Sequence, residues 1–381
     1  MLNLMPAFTE EQSMLRDSVA RFARERGGLD NRRQSSAEPH GFSAEGWQQF
    51  AENGWLAAIF PEALGGIGGG AEEMAIIMEA IGRGLLTEPY LASVVLGGKL
   101  VERLGSPEQA NALLAPMIDG RTRLALAFVE PRSGYDLFRI DTTLKRSGSK
   151  RVLDGVKIAV LNGDTADTLL VTARTEEGPV VVIVPRDAAG VRIDGCATVD
   201  GLRGANIALS SVHIPDSHIL GDPTRAIDAL EYTIDLATAA VCAEAVGAMS
   251  ELLTITTEYL KTRRQFGRAL SDNQALQHRA VDMYVALHET RVLVADAIRG
   301  FDERLLGDRK AVVSAAKAHT GAAARLIGQE AVQLHGAIGT TEDCIVGHYF
   351  KRLTAIDLLF GNRTWQLRRF SKAQLQQAPG R

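Results

Sequence analysis

Two adjacent arginines stand at the end of one helical pattern and just before the start of another. Arg263 and Arg264 are followed by Phe266-Gly267, a dipeptide suited to a turn, and then by Ser271 and Gln274, which fit a capping box for the next helix. One guanidinium group can donate two parallel hydrogen bonds to a phosphate group. A helix N-terminus attracts an anion through its N–H groups and its dipole. The segment therefore favours a pyrophosphate ligand. The alternative is a solvated basic helix end, with Gln274 serving only the cap.

Glycines and a strand end offer exposed backbone at three further places. Segment 333–362 holds glycines at 336, 339, 347 and 361 beside a lone His335, which is more often a packed or capping residue than a ligand. Segment 61–73, PEALGGIGGGAEE, lacks the Lys-Ser/Thr of a phosphate-binding loop, so a turn between two helices is the better interpretation. Segment 127–136, AFVEPRSGYD, leaves a strand at a Glu-Pro turn, which could offer backbone groups to a flat ring or form an ordinary loop.

Three zones of different periodicity must position these residues. From Thr9 to about residue 120, apolar residues recur every three or four positions, which predicts helices, and Thr9 with Gln12 predicts a capping box. From Leu124 to about residue 215, short runs of β-branched residues between glycine turns predict a compact barrel or sandwich. From Ala226 onward, alanine-rich stretches predict bundle helices. We divide this α+β chain into an all-α domain (1–121), a β domain (122–222) and a helical bundle (223–381).

Composition excludes several classes of protein. The 381 residues carry a formal charge of −4, which argues against nucleic acid or an anionic membrane as partner. Cys196, Cys242 and Cys344 are widely spread without a CxxC spacing, which predicts buried free thiols, a reducing compartment and no metal site. The N-terminal segment lacks the basic start and apolar core of a signal peptide, and no stretch shows the roughly 20 apolar residues of a membrane span. We therefore expect a cytoplasmic protein with no membrane partner.

Six separated motifs resemble those of the acyl-CoA dehydrogenase family, in order, along nearly the whole chain. The likeness begins with FTEEQSMLRDSVARF, continues through PEALGGIG, VEP..G.D and DGVKIAVLNGDTAD, and closes with RRQFG......Q and QLHGAIG. The run VGHYFKRLTAID.LFG is most similar to the small subunits of pimeloyl-CoA dehydrogenases, which work beside a related large subunit. The resemblance implies an acyl-CoA dehydrogenase-like fold: an N-terminal helical domain, a middle β-barrel and a C-terminal four-helix bundle.

The resemblance also implies FAD as cofactor, held by two chains of an oligomer. It places segments 129–133 and 159–161 against the isoalloxazine ring, the arginine turn on the flavin of a neighbouring subunit, and the end of the helix that carries Gln333 on the adenosine portion. The implied cofactor-binding residues are Val129, Ser133, Ala159, Leu161, Arg263, Phe266, Gln274, Gln333, Gly336 and Ala337.

The sequence departs from the family pattern at the catalytic base. Phe360 stands where many members carry a Glu, and Ala237 stands at the other position where the family places it. Neither side chain can take a proton, although the N–H of residue 360 could bind the thioester oxygen. Glu244 is the substitute, on the same predicted helical face as Ala237 but about 10.5 Å along it. Its alternative role is a buried carboxylate paired with a flavin-site or interface arginine. Val129 and Leu161 also stand where Thr is common.

The resemblance implies FAD-dependent α,β-dehydrogenation of an acyl-CoA thioester, such as pimeloyl-CoA. A base takes the α-proton, the β-hydride passes to flavin N5, and the electrons pass to an electron-transfer flavoprotein. The chain would act as a homo-oligomer or in a heterotetramer with a related large subunit. The alternative is a non-catalytic structural subunit of such a heterotetramer, which the missing Glu at both positions favours.

Overall fold

Helices make up the N-terminal part of the chain, as the helical period predicts. The computed structural model describes residues 8–148, 150–301 and 308–377. Thr9 and Gln12 form the expected capping box at the start of the first helix, and segment 61–73 joins two helices, as predicted. The helices are α1 (Glu10–Arg26), α2 (Leu29–Ala37), α3 (Ala44–Glu52), α4 (Ala71–Gly84), α5 (Lys99–Leu104) and α6 (Pro107–Ile118), with a π-helical segment at Leu91–Gly98.

The middle of the chain forms one eight-stranded sheet in the order β6-β7-β3-β2-β4-β5-β8, with β1 paired to β4. The strands are β1 (Leu124–Ala127), β2 (Thr143–Ser147), β3 (Lys150–Leu161), β4 (Thr168–Arg174), β5 (Pro179–Pro185), β6 (Val191–Ala197), β7 (Arg203–Ile214) and β8 (Ile219–Leu220). Leu153, Val171, Val182 and Ile207 lie in its buried core. Within the described residues the two end strands, β6 and β8, do not pair with each other, so the predicted closed barrel is not confirmed. Closure depends on strand tilt and register, which composition does not determine.

Helices return after residue 222, as predicted. They are α7 (Pro223–Thr262), α8 (Gln274–Arg299), α9 (Arg309–His335), α10 (Ile345–Leu358) and α11 (Arg363–Gln377), and the short strands β9 (Arg264–Gln265) and β10 (Arg268–Ala269) lie between α7 and α8. By length and composition α7 could cross a membrane, although the sequence was expected to hold no such stretch. In the structure 89% of its most apolar window is buried inside the protein. Such burial is typical of a core helix that is apolar on all sides.

The described residues form two compact units. The bundle unit comprises residues 8–34, 71–86 and 238–377 with their gap at 302–307, and the sheet unit comprises 35–70 and 87–237 without residue 149. Helix α4 therefore belongs to the bundle unit, although it lies in the N-terminal third of the chain.

Helices α4 and α7 touch backbone to backbone within the bundle unit. A Cβ atom on Gly82 would lie 1.9 Å from the carbonyl oxygen of Glu244, and a Cβ atom on Gly247 would lie 1.9 Å from the carbonyl oxygen of Glu79. Both obstacles are main-chain atoms, which cannot turn aside as a side chain can. Only glycine therefore fits at either position without moving a helix.

We expect Gly247→Ala to lower the free energy of unfolding by about 1–3 kcal/mol, because the added methyl group must push the two helices apart. Gly347→Ala is the matched control, since a Cβ atom there would meet its nearest atoms at 3.4 and 3.8 Å. Alanine should be neutral at position 347, or stabilising by up to roughly 1 kcal/mol. Urea unfolding of both variants measures the difference, and equal stabilities would contradict the tight crossing.

Candidate active site

The arginine turn is a short β-hairpin in the bundle unit. Strands β9 and β10 pair antiparallel, with Arg268 opposite Gln265. Phe266 and Gly267 between them have φ angles of +51° and +79°. Two successive positive φ angles are typical of a type I′ turn, which favours glycine, so the predicted turn is confirmed. The Phe266 side chain at its tip is 99% exposed.

The arginines beside this tip are open to solvent. Arg263 and Arg264 are exposed, and within the described residues neither forms an ion pair. The Leu270 N–H donates to the Arg263 carbonyl oxygen at 2.9 Å, which closes the base of the hairpin. Two unpaired cations beside an exposed aromatic ring suit a ligand that carries both phosphates and a flat ring system.

The predicted capping box at Ser271 is wrong. Ser271 lies inside a one-turn 3-10 helix, Leu270–Asp272, and Asn273 is the residue before α8. Asp272 instead bonds back to the N–H of Ala269 at 3.2 Å, and this local turn displaces the helix start by two residues. Gln274 therefore does not serve a cap. It is exposed at the first position of α8, where its amide can face a ligand.

Helices α7 and α9 end side by side in the bundle unit. The Tyr259 ring stacks on His335 with 4.3 Å between ring centroids, and its hydroxyl group donates to the His335 carbonyl oxygen at 3.4 Å. This contact places the Arg263 hairpin and Gly336 at the same end of the unit. His335 is buried with Nδ1 2.8 Å from the Ala331 carbonyl oxygen, so the prediction of a packed histidine is confirmed. Burial also lowers the pKa of His335, which favours the neutral ring.

The end of α9 presents an exposed strip made of Gln333, Gly336 and Ala337. Gly336 has a φ angle of +69°, and a Cβ atom built on it would meet nothing within 4 Å. A flat ligand can therefore approach the backbone closely here. The bundle unit thus brings the predicted residues of the hairpin and of α9 to one exposed end.

The sheet unit joins the other two predicted segments at a β-bulge. Lys157 pairs with Ile207 and Val160 with Ala205, so two residues of β3 face one residue of β7. Ala159 has a φ angle of +51°, and the freed N–H of Ile158 donates to the Val129 carbonyl oxygen at 2.9 Å. The bulge therefore brings segment 129–133 against segment 159–161.

A buried ion pair lies directly beside this junction. The Lys157 ammonium group is 2.6 Å from Glu130 Oε1 and 2.8 Å from the Thr172 hydroxyl oxygen. The two charged side chains are 0% and 2% exposed. Burial lowers the pKa of Lys157 to about 8, although Glu130 acts in the opposite direction. Burial alone would raise the pKa of Glu130, but the hydrogen bond and charge of Lys157 keep it below its ordinary value.

This pair makes stability depend on pH. Lys157 has a pKa of about 8 in the fold and an ordinary value of 10.5, so between these pH values the unfolded chain binds more protons and the free energy of unfolding should rise with pH. We expect wild type to gain up to about 3 kcal/mol across that window relative to a Glu130→Gln/Lys157→Met variant, which lacks the titrating group. Urea unfolding at a series of pH values measures this difference, and a difference independent of pH would contradict the titration.

Ser133 and Leu161 belong to the two segments that lie beside the bulge, and the Ser133 hydroxyl group already forms hydrogen bonds within the fold. The Ser133 hydroxyl group accepts from the Glu130 N–H at 3.0 Å and lies 3.1 Å from the Glu130 carbonyl oxygen. Leu161 pairs with Gly204 at the end of β3. A ligand at this edge would therefore meet backbone groups more than free hydroxyl groups.

Glu244 forms a buried ion pair in the bundle unit. Its Oε1 lies 2.6 Å from Arg352 Nε and its Oε2 lies 2.7 Å from an Arg352 terminal nitrogen. The side chains of the two residues are only 5% and 6% exposed. The buried pairing of Glu244 with an arginine is thus confirmed, whereas a flavin-site or interface role of that arginine and the role of Glu244 as a base stay predictions. Ala237, also on α7, is fully buried.

Phe360 lies in a strained turn after α10. Its φ angle is +55°, and Gly361 follows with +105°. Gln366 Nε2 donates to the Phe360 carbonyl oxygen at 2.7 Å, and the buried Lys317 ammonium group donates to the carbonyl oxygens of Asp357 and Gly361 at 2.9 and 3.1 Å. Side chains on either side of the turn therefore keep residue 360 in a left-handed conformation, which costs a non-glycine residue about 1–2 kcal/mol.

Three charged residues of these sites were not predicted from the sequence: Arg352, Lys157 and Lys317. Arg352 lies on the buried stripe of α10 with Val346 and Tyr349, so a charge at an apolar helical position was a usable signal. Lys157 follows Leu153 at even spacing on β3, which predicts an inward side chain. Lys317 gave only the weaker signal of a lysine within an alanine-rich helix.

Three family models together match most of the chain. They are the acyl-CoA dehydrogenase N-terminal domain over residues 9–121, the middle domain over 125–215 and the C-terminal domain over 227–375. The chain belongs to the acyl-CoA dehydrogenase family. This is a family of FAD-dependent oxidoreductases, as the sequence motifs predict.

Individual acyl-CoA dehydrogenase relatives match over nearly their full length. A probable acyl-CoA dehydrogenase of Bacillus subtilis is 30% identical over 342 residues, which is 87% of this chain and 89% of the relative. A caffeyl-CoA reductase–Etf complex subunit of Acetobacterium woodii is 28% identical, with 90% and 93% covered. The ChsE4–ChsE5 complex of Mycobacterium tuberculosis contains a similar chain with a TM-score of 0.89, 26% identity, and 98% and 99% covered.

The residues at the hairpin end of the bundle unit fit FAD, the family's cofactor. Unpaired arginines and an exposed ring suit its diphosphate and ring systems, and the glycine at the end of α9 leaves room for a flat group. Within the described residues there is no cluster of His, Cys, Asp or Glu that could hold a metal. Of the cysteines, Cys242 is buried, Cys344 is half-buried and Cys196 is exposed, so the prediction of buried thiols is wrong for Cys196.

Proposed function

We propose that this chain catalyses the FAD-dependent α,β-dehydrogenation of an acyl-CoA thioester. The observation that carries the proposal is that the residues predicted to hold FAD gather at two places, the β-bulge of the sheet unit and the hairpin end of the bundle unit. When bound, FAD supplies the acceptor for the β-hydride. The chain's own groups hold the flavin, and the N–H of residue 360 binds the thioester oxygen.

The proposal includes partners and substrate class. The exposed hairpin, with Phe266 fully in solvent, supports binding to a flavin carried by a neighbouring chain of an oligomer. A relative named as a caffeyl-CoA reductase–Etf complex subunit supports an electron-transfer flavoprotein as electron acceptor. The resemblance to pimeloyl-CoA dehydrogenase small subunits supports a dicarboxylyl-CoA substrate. We also propose a cytoplasmic location and the three-domain division at residues 121 and 222.

As a second candidate function, this chain would be one subunit of a hetero-oligomer in which a related chain supplies the catalytic base. The observation that favours it is the clamp of Arg352 on both carboxylate oxygens of Glu244. A carboxylate held in this way is poorly placed to receive a proton from a substrate. With Phe360 and Ala237 at the usual base positions, the catalytic carboxylate would come from the partner chain. The ChsE4–ChsE5 complex, a two-component assembly, supports such an arrangement.

Purification of the full chain alone, with FAD added, separates these functions. The visible spectrum reports bound flavin, and anaerobic mixing with acyl-CoAs of different chain lengths reports flavin reduction. Reduction by wild type that is lost in Glu244→Gln supports a self-sufficient enzyme with Glu244 as base. Bound flavin that is reduced only after co-expression with a related large subunit supports the second function. A chain that binds no flavin in either setting would refute both.

Phe266→Ala tests the hairpin within the same experiment. Because its ring is 99% exposed, the substitution should change the free energy of unfolding by less than about 0.5 kcal/mol while weakening FAD retention. Val199→Ala, which shortens another exposed apolar side chain on a turn, is the control. Equal FAD retention in the two variants would count against the hairpin as a cofactor contact.

A further inference from the structure

Segment 129–133 of the sheet unit is joined twice to the residues just before segment 159–161, and the family resemblance places both segments against the flavin ring. On the backbone, the Ile158 N–H donates to the Val129 carbonyl oxygen at 2.9 Å. One residue after Val129 and one residue before Ile158, the side chains of Glu130 and Lys157 meet at 2.6 Å. The backbone contact and the buried ion pair therefore fix the same junction from two sides.

Glu130 also anchors the loop that follows Val129. Its Oε2 accepts from the Asp141 N–H at 2.6 Å, and its Oε1 accepts from the Thr142 N–H at 3.1 Å. Residue 130 begins this loop and residues 141 and 142 end it, so one carboxylate closes the loop. If the Glu130 carboxylate moves, both ends of the loop and the Val129 carbonyl group move with it.

Lys157 fixes the other side of the junction. It lies immediately before the bulge residues Ile158 and Ala159, and its second bond to the Thr172 hydroxyl oxygen ties it to β4. A bulge with an alanine at a φ angle of +51° needs such support, because the left-handed conformation is unfavourable for a residue with a Cβ atom.

A buried ion pair of this kind often contributes little to the free energy of unfolding. Desolvation of two charges often outweighs their attraction, and apolar residues of similar volume often serve a fold as well or better. Its directional hydrogen bonds do what apolar packing cannot, since they fix the position of specific backbone groups. The geometry therefore suits positioning better than stabilisation.

We propose that Glu130 and Lys157 are a positioning pair for the flavin ring, which sets the placement of the Val129 carbonyl group and of the Ile158–Ala159 bulge against the isoalloxazine. This inference rests on the proposed function, because it requires that the chain binds FAD. Neither residue touches the reacting atoms. Their effect passes through the backbone that they hold.

FAD titration of the full chain tests the pair, with Glu130→Gln/Lys157→Met as the variant. The double change removes both charges together, so no buried charge is left without a partner. We expect the FAD dissociation constant to rise on the order of tenfold, the effect of losing roughly one well-made hydrogen bond. The absorption bands and the reduction potential of the bound flavin should shift as well, which loss of stability alone would not produce.

Asp167→Asn is the matched control in the same sheet. Asp167 pairs with Arg123 at 3.1 Å and also accepts from the Arg123 N–H, at the start of β1, whereas Val129 follows the end of β1. This variant should bind FAD with wild-type affinity, spectrum and potential. If the double variant also matches wild type in all three, the positioning pair is refuted and the proposed function stands. If wild type itself binds no FAD, alone or with a partner chain, both fall.

A measurement on wild type keeps the test decisive if the double variant does not fold. The charged groups that face the Lys157 ammonium are Glu130 and Asp141. Loss of the ammonium proton near pH 8 breaks the ion pair, so the flavin absorption bands should change between pH 7 and 9.5 with a midpoint near that value. Bands that stay constant over this range in wild type would overturn the inference.

Discussion

Arg352→Met is expected to lower the free energy of unfolding by about 3–5 kcal/mol, because it leaves the Glu244 carboxylate buried without its partner. Both side chains are almost completely buried, and both carboxylate oxygens are bonded to the guanidinium group. Equilibrium urea unfolding measures the loss. The exposed pair Arg121–Asp119 provides the control, since its side chains are 66% and 56% exposed and Arg121→Met should cost less than about 1 kcal/mol.

The double variant Glu244→Leu/Arg352→Met distinguishes a lost attraction from a stranded charge. Replacement of both charges by apolar residues of similar volume should restore most of the stability lost in Arg352→Met. If the double variant is as unstable as the single one, the cost arises from lost packing of the long arginine side chain and not from the unpaired carboxylate.

Phe360→Glu is expected to raise the rate of flavin reduction by an acyl-CoA about 10²–10⁴-fold in the chain purified alone. The reason is that it installs a proton acceptor at the position where many acyl-CoA dehydrogenases carry one, and a positioned general base contributes an acceleration of this size. Phe360 is half-buried in a turn whose backbone is fixed by Lys317 and Gln366. The backbone of residue 360 should therefore keep its conformation when Phe is replaced by Glu.

Phe360→Gln is the control for this gain, because it has nearly the same size and hydrogen-bonding capacity as Glu without basicity. Anaerobic stopped-flow absorbance of the bound flavin gives the rate for both variants. Equal rates in Phe360→Glu and Phe360→Gln would show that the missing base at position 360 does not limit this chain. They would also weaken the case for a partner chain that supplies the carboxylate.

The sequence predicted a turn or a helix start well where one or two residues determine the local backbone conformation. Gly267 determined the hairpin turn, and Thr9 with Gln12 determined the start of α1. The Ser271 cap failed because the Asp272 side chain accepts a competing hydrogen bond from the Ala269 N–H, which forms a local turn before the helix. Closure of the sheet could not be predicted, because it depends on the registers of strands far apart in the chain.

The exposed residues of the candidate site could be predicted from the sequence, whereas its buried ion pairs could not. Exposed residues such as Arg263 and Phe266 were found because charge and turn propensity are local properties. The partner of Glu244 is 108 residues away in sequence, and that of Lys157 is 27 residues away. Such pairings require tertiary structure, so the sequence could say only that a buried charge must have some partner.

The glycine crossing of α4 and α7 constrains how Glu244 could ever reach a substrate. The carbonyl oxygen of Glu244 lies where a methyl group on Gly82 would be, so the main chain at residue 244 has no room to slide toward α4. Any release of the carboxylate from Arg352 must therefore come from χ rotation of one side chain or the other, while the helix axis stays still. A gating movement at this point would be a rotamer exchange, fast and local, and not a rearrangement of helices.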